Sequence, residues 1–75
     1  MMFNYDLLLK KIDEVYKESK FEYKLVHFSK DAKIKIYRLK RIIEGKAYFQ
    51  NDEIVRIKDL LNISDINEYF FKIKG

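Results

Sequence analysis

Residues 30–46, KDAKIKIYRLKRIIEGK, combine the charge cluster and the apolar pattern that decide the fold. The stretch has seven basic and two acidic residues, a net charge of +5, whereas the whole chain of 75 residues carries +4. Four apolar residues recur at the spacing of one helix face: Ala32, Ile36, Leu39 and Ile43. Gly45 is a candidate C-cap, because glycine accepts the left-handed conformation that ends many helices. We predict a helix with one face in the core and one cationic face, the local charge pattern of a surface that meets a polyanion.

The composition favours one small helical domain over residues 1–75. The chain has no proline and only two glycines, so it lacks the turn residues on which sandwiches and barrels depend. It has no cysteine and a single histidine, His27, so we expect no disulfide, no metal site and no cofactor. No apolar run approaches the ~18 residues of a membrane span, and no secretory signal is apparent. We therefore expect a cytoplasmic protein without membrane association.

Amphipathic patterns predict helices on both sides of the basic stretch. Residues 3–18 form one such segment, with Asn4 or Asp6 as its cap. A second helix over residues 51–61 would be capped by Asn51, and a short last helix would be capped by Ser64. The residues expected in the core of these helices are Leu8, Ile12, Val15, Tyr16, Ile54, Ile57, Leu60, Leu61, Ile66, Tyr69 and Phe70.

Residues 20–40 are compatible with two structures. Apolar and charged residues alternate from Phe21 to Leu25, as in a strand, so a hairpin turning through residues 29–32 would give an α+β fold. Phe21, Leu25 and Phe28 also lie at the spacing of one helix face. Because the flanking segments are helical, we favour helices here and predict an all-α domain of four or five helices.

Several segments together resemble a known family. YDLLLKKIDEVY, a basic helix ending in IIEGKAYF, then NDEIVRIKDLLNI and EYFF are similar to short phage-encoded proteins with a Cro/repressor-type helix-turn-helix. The resemblance covers nearly the whole chain. It implies an all-helical fold, binding to operator DNA as a homodimer, and a function in transcription regulation. Such proteins place a recognition helix in the major groove.

The motif fits the sequence in two registers. In an ungapped match over residues 25–44, Lys33 takes the turn position, which is usually glycine because it needs a positive φ. The recognition helix then begins near Lys35, where the family usually has a Ser or Thr cap. In the second register, one longer helix over residues 29–44 follows a helix over residues 19–27. The cationic helix ends at the same glycine in both.

The DNA contacts would come from cations and one tyrosine of this stretch. The candidate residues are Lys33, Lys35, Tyr37, Arg38, Lys40, Arg41 and Lys46. Arg38, Lys40 and Arg41 could bind phosphates or a guanine edge, and the alternative is a solvated helix face. Tyr37 could contact a phosphate or stack on a base, and the alternative is a half-buried core position. The resemblance implies DNA-facing positions at Lys35, Ile36, Tyr37, Lys40, Arg41 and Glu44.

Two other classes of function were weighed against DNA binding. Paired carboxylates occur at Asp13–Glu14 and Asp52–Glu53, but we expect them on exposed helix positions without a histidine or metal cluster, so we predict no enzyme. His27 is expected to be a packing or surface residue. The alternative function is a phage or mobile-element inhibitor, such as an anti-CRISPR protein, that binds a host protein or a nucleic-acid-handling complex. The lack of the turn glycine and the usual cap favours that alternative.

Overall fold

Five helices follow one another in the residues that the computed structural model describes, 2–20 and 23–73. They are α1 (Asp6–Val15), α2 (Lys24–Ala32), α3 (Ile36–Ile43), α4 (Asn51–Leu61) and α5 (Ile66–Phe70). Within these residues no strand forms, and one antiparallel bridge joins Phe3 to Ile73 near the two chain ends. The all-α prediction is therefore confirmed. The hairpin alternative is wrong, because α2 and α3 occupy its two arms. Phe21, predicted on one helix face with Leu25 and Phe28, lies outside the described residues.

A sharp turn at residues 33–35 separates α2 from α3. Lys33 has a left-handed backbone, with φ 58° and ψ 41°. The backbone N–H of Lys33 donates to the carbonyl of Lys30 (3.3 Å), and that of Ile34 donates to the carbonyl of Ser29 (3.0 Å). These bonds satisfy carbonyls at the end of α2. The break is the one that the first register predicts. The single helix over residues 29–44 is wrong, and the predicted stripe from Ala32 spans two helices.

All five helices contribute to one core, and the contacts of α3 are mainly with α2. The buried apolar residues of this core are Tyr5, Leu8, Ile12, Phe28, Ala32, Ile34, Leu39, Ile42, Ile54, Ile57, Leu61, Ile63 and Phe70. Tyr16, Ile66 and Tyr69 are partly buried against this cluster. Val15 and Leu60, which the pattern placed in the core, are exposed. Each is adjacent to a residue of the same predicted face that does pack inward, Tyr16 and Leu61, so the core-facing side at these helix ends is narrower than the pattern predicts.

One of the predicted helix ends, Gly45, is confirmed. The N-cap of α1 is Tyr5 rather than Asn4 or Asp6, although the side chain of Asn4, one residue earlier, accepts the first backbone N–H of the helix at 2.8 Å. Gly45 has φ 81° and follows α3. Its N–H donates to the carbonyl of Ile42 (3.0 Å), and the N–H of Lys46 donates to that of Arg41 (2.8 Å). This pair of bonds is the Schellman motif, in which glycine takes the left-handed position.

The two other predicted caps are wrong by one residue. Asn51 is the first residue of α4, and its cap is Gln50, which forms a capping box with Glu53. Asp65, rather than Ser64, caps α5 by accepting a backbone N–H at 3.0 Å. In both places the capping side chain belongs to the residue next to the predicted one, and it accepts a backbone N–H of the first turn.

The left-handed lysine predicts a stabilising substitution. Lys33→Gly should raise the free energy of unfolding by about 1 kcal/mol, because glycine has no Cβ that disfavours this conformation. For a domain of this size the midpoint of thermal unfolding should rise by about 4–8 °C per kcal/mol. Circular dichroism during heating measures it.

Lys35→Gly is the matched control. Lys35 is also an exposed turn lysine, but its φ is −59°, so glycine there relieves no strain and makes the unfolded chain more flexible. We expect this variant to unfold at a lower temperature than the wild type. Equal destabilisation by the two substitutions would show that the conformation of Lys33 carries no strain.

Candidate nucleic-acid interface

One side of α3 and its two flanking turns form a cationic surface, which we call the basic face. Its residues, all exposed, are Lys33, Lys35, Tyr37, Lys40, Arg41 and Lys46. On the opposite side of α3, Leu39 and Ile42 are buried in the core. Among the described residues, no lysine of the basic face forms a salt bridge. Their charges therefore remain available to an anionic partner.

Tyr37 and Arg41 form a pair at the centre of this face. They are four residues apart on α3, so their side chains are neighbours on one side of the helix. The guanidinium carbon of Arg41 lies 5.9 Å from the centroid of the Tyr37 ring. The core alternative for Tyr37 is wrong, since its side chain is 71% exposed. Arg41 also donates a long hydrogen bond of 3.5 Å to the carbonyl of Lys46. These contacts hold a planar cation beside an exposed aromatic ring.

Arg38 does not belong to the basic face, contrary to the sequence prediction. Its Nε and one terminal nitrogen donate to the two carboxylate oxygens of Glu53, each at 2.8 Å. The same terminal nitrogen donates to the carbonyl of Tyr48 at 2.9 Å. This forked arrangement is the strong form of the arginine–carboxylate pair. Arg38 therefore fixes α3 to α4 and to the loop between them.

Glu53, the carboxylate that Arg38 binds, is buried, whereas the sequence analysis predicted an exposed helix position for it. Its side chain is only 7% exposed. Besides its bonds to Arg38, the carboxylate accepts the backbone N–H of Gln50 at 2.7 Å. The hydrogen bond from Arg38, aided by that of Gln50, lowers the pKa of Glu53 despite the opposing effect of burial. The capping-box spacing of Gln50 and Glu53 was a visible signal of this role.

Two further side chains hold α2 in place beneath the basic face. Arg56 on α4 donates to the carbonyl of Ala32 at 3.0 Å, next to the turn, and also pairs with Asp52 at 3.1 Å. The hydroxyl of Tyr16 donates to Asp31 at 2.6 Å. Burial first, and then this hydrogen bond, raises the pKa of Tyr16. The C-terminal end of α2 is therefore anchored from two sides, which fixes where α3 begins.

The single histidine and the remaining carboxylates lie outside the basic face. His27 is exposed, in agreement with the surface prediction; its Nδ1 lies 2.6 Å from the hydroxyl of Ser19, and its ring stacks on Tyr23. Within residues 2–20 and 23–73, no group of three histidine, cysteine or carboxylate residues could hold a metal ion. In the same residues no helix is long and apolar enough to cross a bilayer.

Comparison with models of protein families, with curated proteins and with solved structures finds no match. The resemblance to phage-encoded Cro/repressor-type proteins therefore stays a prediction. The fold and the site define a class on their own: a small all-α domain in which a tight turn joins two helices, the second of which presents a basic face.

The Arg38–Glu53 pair predicts how stability depends on pH. The pKa of Glu53 in the folded protein lies below its ordinary value of 4.5. Its contribution to the free energy of unfolding is therefore present above that value and is lost as the pH falls through the folded pKa. Glu53→Gln should lower stability at neutral pH by about 2 kcal/mol, as for hydrogen bonds to a charged group. It should also flatten the acid side of the stability profile.

Urea unfolding followed by circular dichroism, from neutral to acidic pH, tests this dependence. Glu14→Gln on α1 is the control, because Glu14 is exposed and no salt bridge involves it among the described residues. It should leave the neutral stability almost unchanged. An acid profile of equal slope in the wild type and in Glu53→Gln would contradict the role assigned to the pair.

Proposed function

We propose that the protein binds double-stranded DNA through the basic face and regulates transcription, with α3 as its recognition helix in the major groove. One observation carries the proposal: the cations of the basic face form no ion pair with any described residue, while the opposite side of the same helix is packed in the core. Unpaired lysine and arginine side chains on one rigid helix match the dense charge of a phosphate backbone.

The dimensions of α3 fit this role. An α-helix with its side chains is about 10–12 Å across, and the major groove is about 12 Å wide. Lys33 and Lys35 precede or cap the start of α3, and Lys46 lies beyond its other end, so all three could reach phosphates that border the groove. Tyr37 and Arg41 lie between them. We assign the end lysines to phosphates and the central pair to base edges.

The contacts of Arg38 support the same assignment. A helix reads bases only when its orientation is fixed, because small displacements break bidentate hydrogen bonds. The side chains of Leu39 and Ile42 are buried, and Arg38 is bonded to the buried carboxylate of Glu53 on α4. α3 is therefore held both by packing and by a directional pair. This stiffness suits recognition of a defined sequence.

We further propose that the protein acts as a homodimer on DNA. One short helix gives a small interface, and two copies would double the phosphate contacts and set the spacing of two half-sites. Among the described residues outside the basic face, apolar side chains such as Leu60 on α4 and Phe71 after α5 are exposed. Such residues are available for contact between two copies.

Selection from random duplexes, followed by fluorescence anisotropy over a range of salt concentrations, tests DNA binding. The double variant Lys40→Ala, Arg41→Ala should bind at least tenfold more weakly. The slope of log Kd against log salt should fall by about one, because Lys40 would be lost from the phosphates, whereas Arg41 is assigned to a base edge. Lys10→Ala with Lys17→Ala removes the same charge from exposed positions outside the basic face and is the control. Unchanged affinity of the first variant would contradict the site, and no binding at low salt would favour the inhibitor alternative.

A second variant separates base reading from charge. Arg41→Lys keeps the positive charge but removes the planar fork that matches guanine. Affinity for the selected duplex should fall about tenfold, whereas affinity for an unrelated duplex should not change. The ratio of the two dissociation constants measures this discrimination. An equal loss on both duplexes would show that Arg41 contacts only phosphate.

A further inference from the structure

An apolar groove lies beside the basic face, between α1, α2 and the start of α3. Its volume of about 450 Å³ falls within the range of about 300–1,000 Å³ that small-molecule sites occupy. Its walls come from three helices and are formed by Leu9, Ile12, Leu25, Val26 and Ile36. A continuous wall of aliphatic side chains suits an apolar ligand body.

The charges at the rim of the groove are unbalanced. Lys24 and Asp13 line it together, and their nitrogen and oxygen atoms are 2.5 Å apart, so these two charges compensate each other. Lys40 also lines the groove and is exposed. Its ammonium group has no hydrogen bond or salt bridge among the described residues. The groove therefore offers aliphatic side chains next to the positive charge of Lys40, which no described residue compensates.

We propose that this groove binds a small amphipathic carboxylate of the fatty-acid type. The hydrocarbon chain would contact the aliphatic wall, and the carboxylate would bind the ammonium group of Lys40. A cationic or neutral ligand of the same shape would leave that charge unsatisfied. The positive charge of Lys40 thus favours an anionic ligand, and the aliphatic wall favours a ligand with a hydrocarbon chain.

The position of Lys40 couples this groove to the DNA surface, a consequence that rests on the proposed function. Lys40 belongs both to the basic face and to the rim of the groove. A bound carboxylate would neutralise it and would bring a negative charge close to the phosphates. DNA affinity should therefore fall about fivefold or more when the groove is filled. The carboxylate would act as a small-molecule signal that releases the DNA.

Decanoate, used below its micelle concentration, is the probe. Methyl NMR spectra of the full chain should show saturable shifts at Leu9, Leu25, Val26 and Ile36. Decyltrimethylammonium, which has the same chain and the opposite charge, should bind at least tenfold more weakly. Absence of saturable shifts, or equal binding of the two amphiphiles, would overturn the proposal.

Three variants locate the ligand. Val26→Trp puts an indole into the groove from a side chain that is 42% exposed, and it should abolish decanoate binding. Val55→Trp is the matched control at an exposed valine of α4, and it should bind decanoate like the wild type. Lys40→Gln keeps the wall and should weaken binding about fivefold, as for loss of one exposed ion pair. If Val26→Trp fails to fold, Lys40→Gln still tests the site.

The DNA arm of the experiment keeps the two proposals apart. Decanoate should lower the affinity of the wild type and of Val55→Trp for the selected duplex, but not that of Val26→Trp. Decanoate binding without any DNA binding would contradict the proposed function and leave the ligand site intact. Decanoate shifts that persist unchanged in both Val26→Trp and Lys40→Gln would place the ligand elsewhere and refute the site.

Discussion

The buried carboxylate of Glu53 is the constraint on which the arrangement around α3 depends. A charge taken out of water costs several kcal/mol unless ion pairs and hydrogen bonds compensate it. Here Arg38 supplies two hydrogen bonds and the backbone of Gln50 a third. Arg38 also bonds to the carbonyl of Tyr48, so the connecting loop is drawn to the same point. One carboxylate thereby fixes two helices and the loop between them, and it determines which side of α3 faces outward.

The turn before α3 shows how packing outweighs a local backbone preference. Lys33 in a left-handed conformation costs about 1 kcal/mol. The next residue, Ile34, is 4% exposed, and full burial of such a side chain contributes about 2–3 kcal/mol. The hydrogen bond from Ile34 to Ser29 adds to this gain. Burial of Ile34 and this hydrogen bond together outweigh the backbone cost at Lys33. The turn therefore forms with lysine at a position where glycine would adopt the same conformation without strain. Asn62, the left-handed C-cap of α4 with φ 54°, needs no such compensation, because asparagine adopts this conformation at little cost.

Local patterns in the sequence were sufficient to predict the helices but not the side-chain contacts between them. The 3.6-residue period and Gly45 predicted α1, α4 and the end of α3. The break at Lys33 gave no local signal, because lysine favours helices and the apolar stripe continues across the turn. Arg38 and Arg41 look equivalent in the sequence. They differ only because Glu53, fifteen residues beyond Arg38, lies beneath one of them in the fold. Such long-range pairing has no period that a sequence reading could detect.

The cations of the basic face are among those that remain after the internal pairs of the described residues are made. In the described residues Lys24, Arg38 and Arg56 are paired with Asp13, Glu53 and Asp52. These carboxylates lie on α1 and α4, so they cannot neutralise the outer side of α3. The surface lysines keep flexible, hydrated charges, which suits phosphates of any sequence. If the proposed complex forms, Arg41, held beside Tyr37, would have fewer orientations to lose on a base edge. Under that proposal the fold separates two kinds of cation: flexible lysines that would supply affinity and one ordered arginine that would supply recognition.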